Sequence, residues 1–221
     1  MKDLGEISYF LGIDFKQEAD KITMNQTRYT LKVLEKFNMS NCKTRSTPCE
    51  VQTGICPNNE KVQLDRYRQI VGSLIYLATC TRPDIIWVVS KLSRSLADPK
   101  LEDLTTAKHV LRYLKGTVNH KLVYRKSDSM KLTSYCDSDW ASSDDRKSTT
   151  GYIFSLNECS APIYWKTRRP PTVALSTCES EYMGLGAATQ EALYLLQLLN
   201  DICPNEFKCA HISCDNQGAM H

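Results

Sequence analysis

The sequence Leu-Thr-Ser-Tyr-Cys-Asp-Ser-Asp-Trp at residues 132–140 decides the fold of this chain. Its first part, Leu132 to Asp137, predicts a short β-strand. Further segments of similar length predict strands over 150–156, 161–166 and 210–214, with one long helix over 175–199. Three antiparallel strands followed by a helix-linked parallel strand predict a mixed α/β sheet.

The part of the chain before this sheet predicts a hairpin and a small helical unit. Ile7 to Phe15 is rich in β-forming residues and can pair with Lys21–Met24. Apolar residues at helical spacing predict helices over 27–37, 67–78, 84–96 and 99–115, with a loop over 38–61. We place the domain boundary after Ser127, which gives a first region 1–127 and a second region 128–221.

The composition excludes several classes of protein. No apolar run approaches the roughly 20 residues that span a bilayer, and the first residues lack the apolar core of a secretion signal. We therefore expect an intracellular protein without a membrane partner, in a cytoplasmic particle or the nucleus. The ten cysteines include no Cys-x-x-Cys pair, which argues against zinc-ribbon and thioredoxin folds.

The charge of the chain is distributed unevenly between its two regions. Residues 1–127 contain 21 Lys and Arg against 13 Asp and Glu, a balance of +8. Residues 128–221 contain 7 against 12, a balance of −5. A basic region followed by an acidic one suits a nucleic-acid-binding platform joined to a metal-dependent catalytic unit.

Carboxylates at three places along the chain are the strongest candidates for chemistry, and at the first place one of two neighbouring aspartates should matter. Asp137 and Asp139 are two residues apart on a strand, so their side chains project from the same face. Glu181 continues the apolar stripe of the long helix, whereas Glu179 lies about 200° away around the helix axis. A carboxylate on the core side is costly unless it is paired or bound to a cation, which favours Glu181. Asp215 follows directly at the carboxyl end of a strand, a usual place for functional groups in α/β sheets.

Acids drawn from two strands and one helix suit a phosphodiester hydrolase that uses two metal ions. Two Mg²⁺ ions about 4 Å apart activate a water and stabilise the leaving oxygen. Mg²⁺ prefers carboxylate oxygen, and Mn²⁺ is the alternative ion. Each acid taken alone is more often a helix cap or a surface charge, so the hypothesis depends on the ordered set.

Two groups of basic residues are candidates for binding nucleic-acid phosphates. They are Lys166, Arg168 and Arg169 after the third strand of the sheet, and Lys108, Arg112 and Lys115, which we expect to face outward with His109 on the helix over 99–115. An ordinary charged turn and a solvated helix face explain the two groups equally well, so both interpretations remain open.

Four motifs follow one another in the second region. They are YCDSDWA at 135–141, DRKSTTGY at 145–152, ALSTCESEY at 174–182 and CDNQ at 214–217. In this order they closely resemble the ribonuclease H domain of copia-type retrotransposon polyproteins. The segments KDLG at 2–5, YFLG at 9–12, GSLIYL at 72–77 and TRPDI at 81–85 are similar to the part of the same polyproteins just after the reverse-transcriptase active site. The resemblance covers essentially the whole chain.

The resemblance implies a reverse-transcriptase thumb and connection region in residues 1–127 and an RNase-H-like fold in residues 128–221. It further implies that Asp137 bridges two metal ions while Glu181 and Asp215 hold one each, and that water attacks the phosphorus in line. The implied partners are an RNA–DNA hybrid and, in an intact element, the remainder of the polyprotein.

The chain also departs from the pattern of that family. The aspartate pair of the polymerase active site is missing, and the fourth acid and last helix of the ribonuclease H domain are not reached before His221. We therefore expect a retrotransposon-derived nuclease fragment that would hydrolyse the RNA strand of hybrids. The alternative is a nonenzymatic transposon relic or nucleic-acid-binding protein, in which the acids persist without holding metals correctly.

Overall fold

A computed structural model of the chain describes residues 5–50, 62–127, 129–141, 146–157 and 160–220. The chain forms two compact units, Met1–Val123 and Tyr124–His221. The boundary predicted after Ser127 lies a few residues beyond the boundary between these two units. Each unit contributes helices and strands, so the predicted mixed α/β class is confirmed.

The strands of the first unit form a four-stranded sheet in the order β1-β2-β3-β4. They are β1 (Tyr9–Phe10), β2 (Ile13–Gln17), β3 (Lys21–Asn25) and β4 (Leu122–Arg125), and the boundary between the units falls within β4. The predicted hairpin is present, since Phe15 pairs with Met24 across β2 and β3. The predicted single strand over 7–15 is interrupted, because Leu11 and Gly12 both adopt positive φ and turn β1 back antiparallel onto β2.

The helices of the first unit supply its core. They are α1 (Thr27–Lys36), α2 (Leu64–Cys80), α3 (Ile86–Ser93), which a 3-10 turn (Pro83–Ile85) precedes, and α4 (Leu101–Gly116). The apolar face of α2 is fully buried, and the Tyr67 hydroxyl within it donates to the carbonyl of Leu92 at 2.8 Å. Helix α4 begins two residues later than predicted, because the backbone N–H of Lys100 donates to Asp103 and makes Lys100 the N-cap. Residues 51–61 of the predicted loop lie outside the described residues.

A buried ion pair connects the loop after α2 to the end of α4. The guanidinium of Arg82, whose side chain is 5% exposed, donates to Asp84 at 2.7 and 3.0 Å. It also donates to the side chain and carbonyl of Thr117, while the Tyr113 hydroxyl donates to Asp84 at 2.8 Å. Burial alone would raise the pKa of Asp84, but the hydrogen bonds and charge of Arg82 outweigh it and lower that pKa.

The second unit contains the sheet predicted from residues 132–214. Its elements are β5 (Leu132–Asp139), β6 (Thr149–Ser155), β7 (Pro162–Arg168), α5 (Thr177–Ile202), β8 (Ala210–Ser213) and α6 (Gln217–Met220). The sheet order is β7-β6-β5-β8, with β5–β6 and β6–β7 antiparallel and β5–β8 parallel. Each predicted strand and the long helix are present, with ends shifted by a few residues.

Helix α5 packs on one face of this sheet and closes the core of the second unit. The buried face of the helix includes Ala188, Ala192 and Leu195. Leu132 and Phe154 contribute fully buried side chains from the sheet. The same stripe of α5 continues toward its N-terminus through Gly184 to Glu181, so packing of the helix fixes where the Glu181 carboxylate lies.

Candidate functional site

The first turn of α5 separates the two glutamates that the sequence offers as ligands. The Ser176 hydroxyl accepts the backbone N–H of Glu179 at 3.1 Å, and the Glu179 carboxylate accepts the backbone N–H of Leu175 at 2.6 Å. These reciprocal bonds satisfy N–H groups at the helix start that lack intrahelical partners. The Glu179 carboxylate is thus engaged in capping the helix.

Glu181 is a buried carboxylate of the second unit, with only 6% of the residue exposed. Burial raises the pKa of its carboxyl above the ordinary value, and the negative charges of Asp137 and Asp215 raise it further. The backbone N–H of Ser138 and the thiol of Cys214 donate to the carboxylate and partly offset this rise. The surroundings of Glu181 therefore combine desolvation with a concentration of negative charge.

Asp215 and its neighbour Cys214 meet Glu181 just beyond the end of β8. One ligand atom from each of the three residues lies within 4.8 Å of the others, and the Cys214 Sγ is 3.9 Å from Glu181 Oε2. Strand β8 runs parallel to β5, and the pairing of Tyr135 with Ser213 brings this strand end alongside the middle of β5. Sheet register and helix packing together assemble the cluster.

Asp137 lies on β5 beside this cluster. The burial of β5 alternates, so Asp137 and Asp139 share its exposed face while Cys136 and Ser138 are buried toward α5. Asp137 is not one of the three residues whose ligand atoms lie within 4.8 Å, yet its charge acts on Glu181. The structure thus brings Glu181 and Asp215 together and places Asp137 within electrostatic range of Glu181.

The donor set of this cluster fits a hard divalent cation. Glu181 and Asp215 offer carboxylate oxygens within ligand-sharing distance, which is the donor type that Mg²⁺ and Mn²⁺ prefer. Burial is the main cause of the raised pKa of Glu181, and a cation bound there would offset both this burial and the repulsion from Asp137 and Asp215 that adds to it.

Gly184 lets α5 approach the sheet closely one turn beyond Glu181. A Cβ at this position would lie 2.8 Å from Thr150 Cγ2 and 2.9 Å from Ser138 Oγ, two side chains that are themselves hydrogen-bonded at 2.7 Å. A methyl group cannot be accommodated at such distances without moving its neighbours. The missing side chain of Gly184 therefore positions the helix that carries Glu181.

We expect Gly184→Ala to lower the free energy of unfolding by about 1–3 kcal/mol, since overpacking outweighs the roughly 1 kcal/mol that Ala gains over Gly in a helix. Gly186→Ala is the matched control, because a Cβ there meets no atom within 4 Å, and it should stabilise by about 0.5–1 kcal/mol. Urea unfolding of both variants measures the difference. Equal stabilisation by the two substitutions would contradict the close approach.

The basic residues after the third strand differ in their surroundings. Lys166 forms an ion pair with Glu191 at 3.0 Å, and this hydrogen bond raises the pKa of its ammonium group. Arg168 is exposed at the end of β7 and lines a cavity of about 310 Å³ together with residues of β6, α5 and the segment after β7. Arg169 is half-buried. Arg168 is consequently the member of this group that is best placed to contact a phosphate.

The basic face of α4 is partly covered by the segment that follows α1. The Lys115 ammonium donates to the carbonyl of Cys42 at 2.7 Å, and the ring of His109 bonds the carbonyl of Thr47 at 2.9 Å. The expectation that His109 faces outward is wrong, since the residue is buried. Lys108 and Arg112 are half-buried, so the basic face of α4 is not fully exposed to solvent.

The sequence does not indicate the roles of two residues, Cys214 and Glu191. Cys214 enters the sequence argument only as part of the motif at 214–217, although its position directly before Asp215 at a strand end is a signal. Glu191 lies ten residues after Glu181 on α5 and contacts Lys166, and neither distance nor charge pattern along the chain indicates that pair.

Comparison with known proteins identifies the family of the chain. Residues 1–51 match the family model described as reverse transcriptase (RNA-dependent DNA polymerase). The chain is 39% identical over 193 residues to an uncharacterized mitochondrial protein of Arabidopsis thaliana, covering 86% of the chain and 79% of that protein. Along its whole length it is 36% identical to the retrovirus-related Pol polyproteins from transposon RE1 of Arabidopsis thaliana and transposon TNT 1-94 of Nicotiana tabacum. The chain belongs to the copia-type retrotransposon Pol family.

This copia-type Pol chain corresponds to a small part of the polyproteins that it matches. It spans 15% of the RE1 polyprotein and 17% of the TNT 1-94 polyprotein. No solved structure matches the copia-type chain. Among the described residues, none of its helices is long and apolar enough to cross a membrane.

Proposed function

We propose that the second unit is an RNase-H-like nuclease that hydrolyses the RNA strand of an RNA–DNA hybrid with Mg²⁺ bound at Asp137, Glu181 and Asp215. The observation that carries this proposal is the buried Glu181 carboxylate, held against Asp215 and exposed to the charge of Asp137. A buried acid in such surroundings is costly unless a cation joins it.

The sheet and the relatives support the same proposal. The mixed sheet has three antiparallel strands and one helix-linked parallel strand and carries the acids on β5, on α5 and just after β8, which supports the RNase-H-like fold that the resemblance implies. The Pol polyproteins that match the whole chain are, by name, retrovirus-related and come from transposons. A hybrid nuclease is a function that such an element needs.

The side chains of the site would bind and orient the reacting groups. Asp137, Glu181 and Asp215 would supply the oxygen donors, and the charge of Asp137 already acts on Glu181. The N–H of Ser138 and the thiol of Cys214 hold the Glu181 carboxylate in one orientation. When bound, two Mg²⁺ ions would supply activation of a water and stabilisation of the leaving oxygen.

A comparison of four substrates tests the proposal. The chain is incubated in Mg²⁺ with an RNA–DNA hybrid, an RNA duplex, a DNA duplex and single-stranded RNA, each labelled on one strand. We expect cleavage of the RNA strand of the hybrid, and loss of this cleavage on chelation of the metal. Cleavage that continues without divalent metal, or that does not favour the hybrid, would contradict the proposal.

Arg168 is expected to contribute one phosphate contact to hybrid binding. Arg168→Gln should reduce the slope of log affinity against log salt by about one, because each neutralised phosphate releases about one counterion. Lys166→Gln is the matched control on the same strand, and its effect should be smaller because Glu191 already neutralises Lys166. Binding measured by fluorescence anisotropy at several salt concentrations checks this. An equal change in slope for both variants would contradict the assignment.

A further inference from the structure

A thiol stands inside the carboxylate cluster. Cys214 Sγ lies 3.9 Å from Glu181 Oε2, and with an oxygen of Asp215 the three ligand atoms lie within 4.8 Å of one another. Cys214 is half-buried and Asp215 exposed, so the cluster opens to solvent on one side. As a ligand, this sulfur is not a donor type that Mg²⁺ or Mn²⁺ prefers.

Sulfur changes which cation the cluster prefers. Thiolate ligands select borderline and soft cations such as Zn²⁺, whereas carboxylate and water suit Mg²⁺ and Mn²⁺. Zinc takes three protein ligands with an open fourth position in many sites, at about 2.3 Å from sulfur and about 2.0–2.2 Å from oxygen. Tetrahedral bonds of these lengths place ligand atoms about 3.3–3.8 Å apart. The distance from Cys214 to Glu181 is close to this range, and rotation of the exposed Asp215 side chain can close the remaining separations.

We propose that Glu181, Cys214 and Asp215 also form a three-ligand site for a thiophilic divalent cation of the Zn²⁺ class, and that this cation, when bound, excludes Mg²⁺ from the same carboxylates. The S–H bond of Cys214, now donated toward Glu181, breaks as the metal–sulfur bond forms, and its proton passes to solvent. No electron transfer is involved. Binding of a Zn²⁺-class cation does not depend on the proposed nuclease function. Inhibition of hybrid cleavage by that cation does rest on it.

A second thiol-containing pair in the same unit provides the internal control. Cys209 Sγ lies 3.7 Å from His211 Nε2, and both residues are exposed. This pair offers two exposed ligands at the start of β8. It should bind a thiophilic cation more weakly than the cluster around Glu181.

The experiment is a titration of the 221-residue chain with Cd²⁺, a thiophilic probe whose thiolate complexes absorb in the ultraviolet. The chain is kept reduced, and Mn²⁺ binding is measured in parallel by electron paramagnetic resonance. The variants are Cys214→Ser, Cys209→Ser as the matched control, and Glu181→Gln. Circular dichroism and thermal unfolding verify that each variant is folded.

The expected result is a tight Cd²⁺ step with a thiolate absorption band that Cys209→Ser retains. Loss of a residue that only hydrogen-bonds a metal ligand typically lowers metal affinity by about 10- to 100-fold. Because Cys214 would be a ligand itself, Cys214→Ser should lower the ratio of Cd²⁺ affinity to Mn²⁺ affinity by at least this factor. Glu181→Gln should weaken both metals. An unchanged tight Cd²⁺ step in Cys214→Ser, or its loss in Cys209→Ser, would overturn the site.

The two proposals fail in different ways. A tight Cd²⁺ step without any Mn²⁺ or Mg²⁺ binding would contradict the proposed nuclease and leave the thiophilic site standing. Mn²⁺ binding without the Cys214-dependent Cd²⁺ step would contradict the thiophilic site and leave the proposed nuclease standing. Where hybrid cleavage is measurable, Zn²⁺ should inhibit it in the native chain at lower concentration than in Cys214→Ser.

Discussion

Replacement of Asp137 by Asn is expected to reduce Mg²⁺-dependent cleavage of the RNA strand of a hybrid by about 10²–10³-fold or more. Loss of one group that stabilises charge in the transition state costs about this much in other enzymes, and Asn removes the negative charge while keeping the shape of the side chain. Glu181→Gln should have an effect of similar size. Initial rates on a labelled hybrid, at saturating Mg²⁺, measure both.

The matched control for this prediction lies two residues from Glu181. Glu179→Gln removes an acid from the same helix, but the Glu179 carboxylate caps α5 and accepts the N–H of Leu175. Gln can keep the capping bond but loses the negative charge in the first turn, so this variant should lose only about 0.3–1 kcal/mol of stability and keep most of the cleavage rate. If Glu179→Gln abolished cleavage and Glu181→Gln spared it, the roles of the two glutamates would be reversed.

Replacement of Asp84 by Ala is expected to destabilise the first unit by about 3 kcal/mol. The substitution leaves the Arg82 guanidinium buried without its carboxylate, and breaking a buried pair costs about 3–5 kcal/mol. Because the Asp84 side chain is 32% exposed, the lower end of this range applies. Urea unfolding monitored by circular dichroism measures the shift.

An exposed ion pair of the same unit is the control for Asp84. Arg45 and Glu50 are paired at 3.1 Å with side chains 46% and 57% exposed, and Glu50→Ala should change stability by less than about 1 kcal/mol. A loss from Asp84→Ala no larger than that from Glu50→Ala would contradict the buried network.

The same pair predicts a dependence of stability on pH. The folded state lowers the pKa of Asp84, so it binds the proton less tightly than the unfolded state. The contribution of Asp84 is therefore present above the ordinary pKa of an aspartate and is lost as pH falls through the lowered folded value. Asp84→Asn should flatten this part of the acid unfolding profile. An unchanged profile would show that Asp84 does not contribute to it.

The spacing of apolar residues along the chain was enough to predict the individual strands and helices. The strand containing Asp137, the buried stripe of α5 and the strand before Asp215 each depend on residues close together in the chain. The burial of Glu181 followed from its place on that stripe. The break at Leu11 and Gly12 is not visible in the sequence, because β-forming residues lie on both sides of it. Only the structure shows that both residues adopt positive φ.

Long-range contacts account for the other differences. Lys115 and His109 were expected outward because α4 by itself shows a basic face, yet the segment around Cys42 and Thr47 covers it. The pairing of Lys166 with Glu191 joins a strand to a helix 25 residues away. Nor does a pattern in one element reveal that Cys214 approaches Glu181, since that contact depends on sheet register and helix packing together.

Binding of Mn²⁺ by the 221-residue chain, followed by electron paramagnetic resonance, tests whether the three acids form a metal centre, independently of any catalytic rate. We predict that the native chain and Glu179→Gln bind Mn²⁺ with equal affinity, that Mg²⁺ displaces it, and that Asp137→Asn and Glu181→Gln bind it at least tenfold more weakly. Equal Mn²⁺ affinity in the native chain and in folded Glu181→Gln would contradict the assignment of this metal centre.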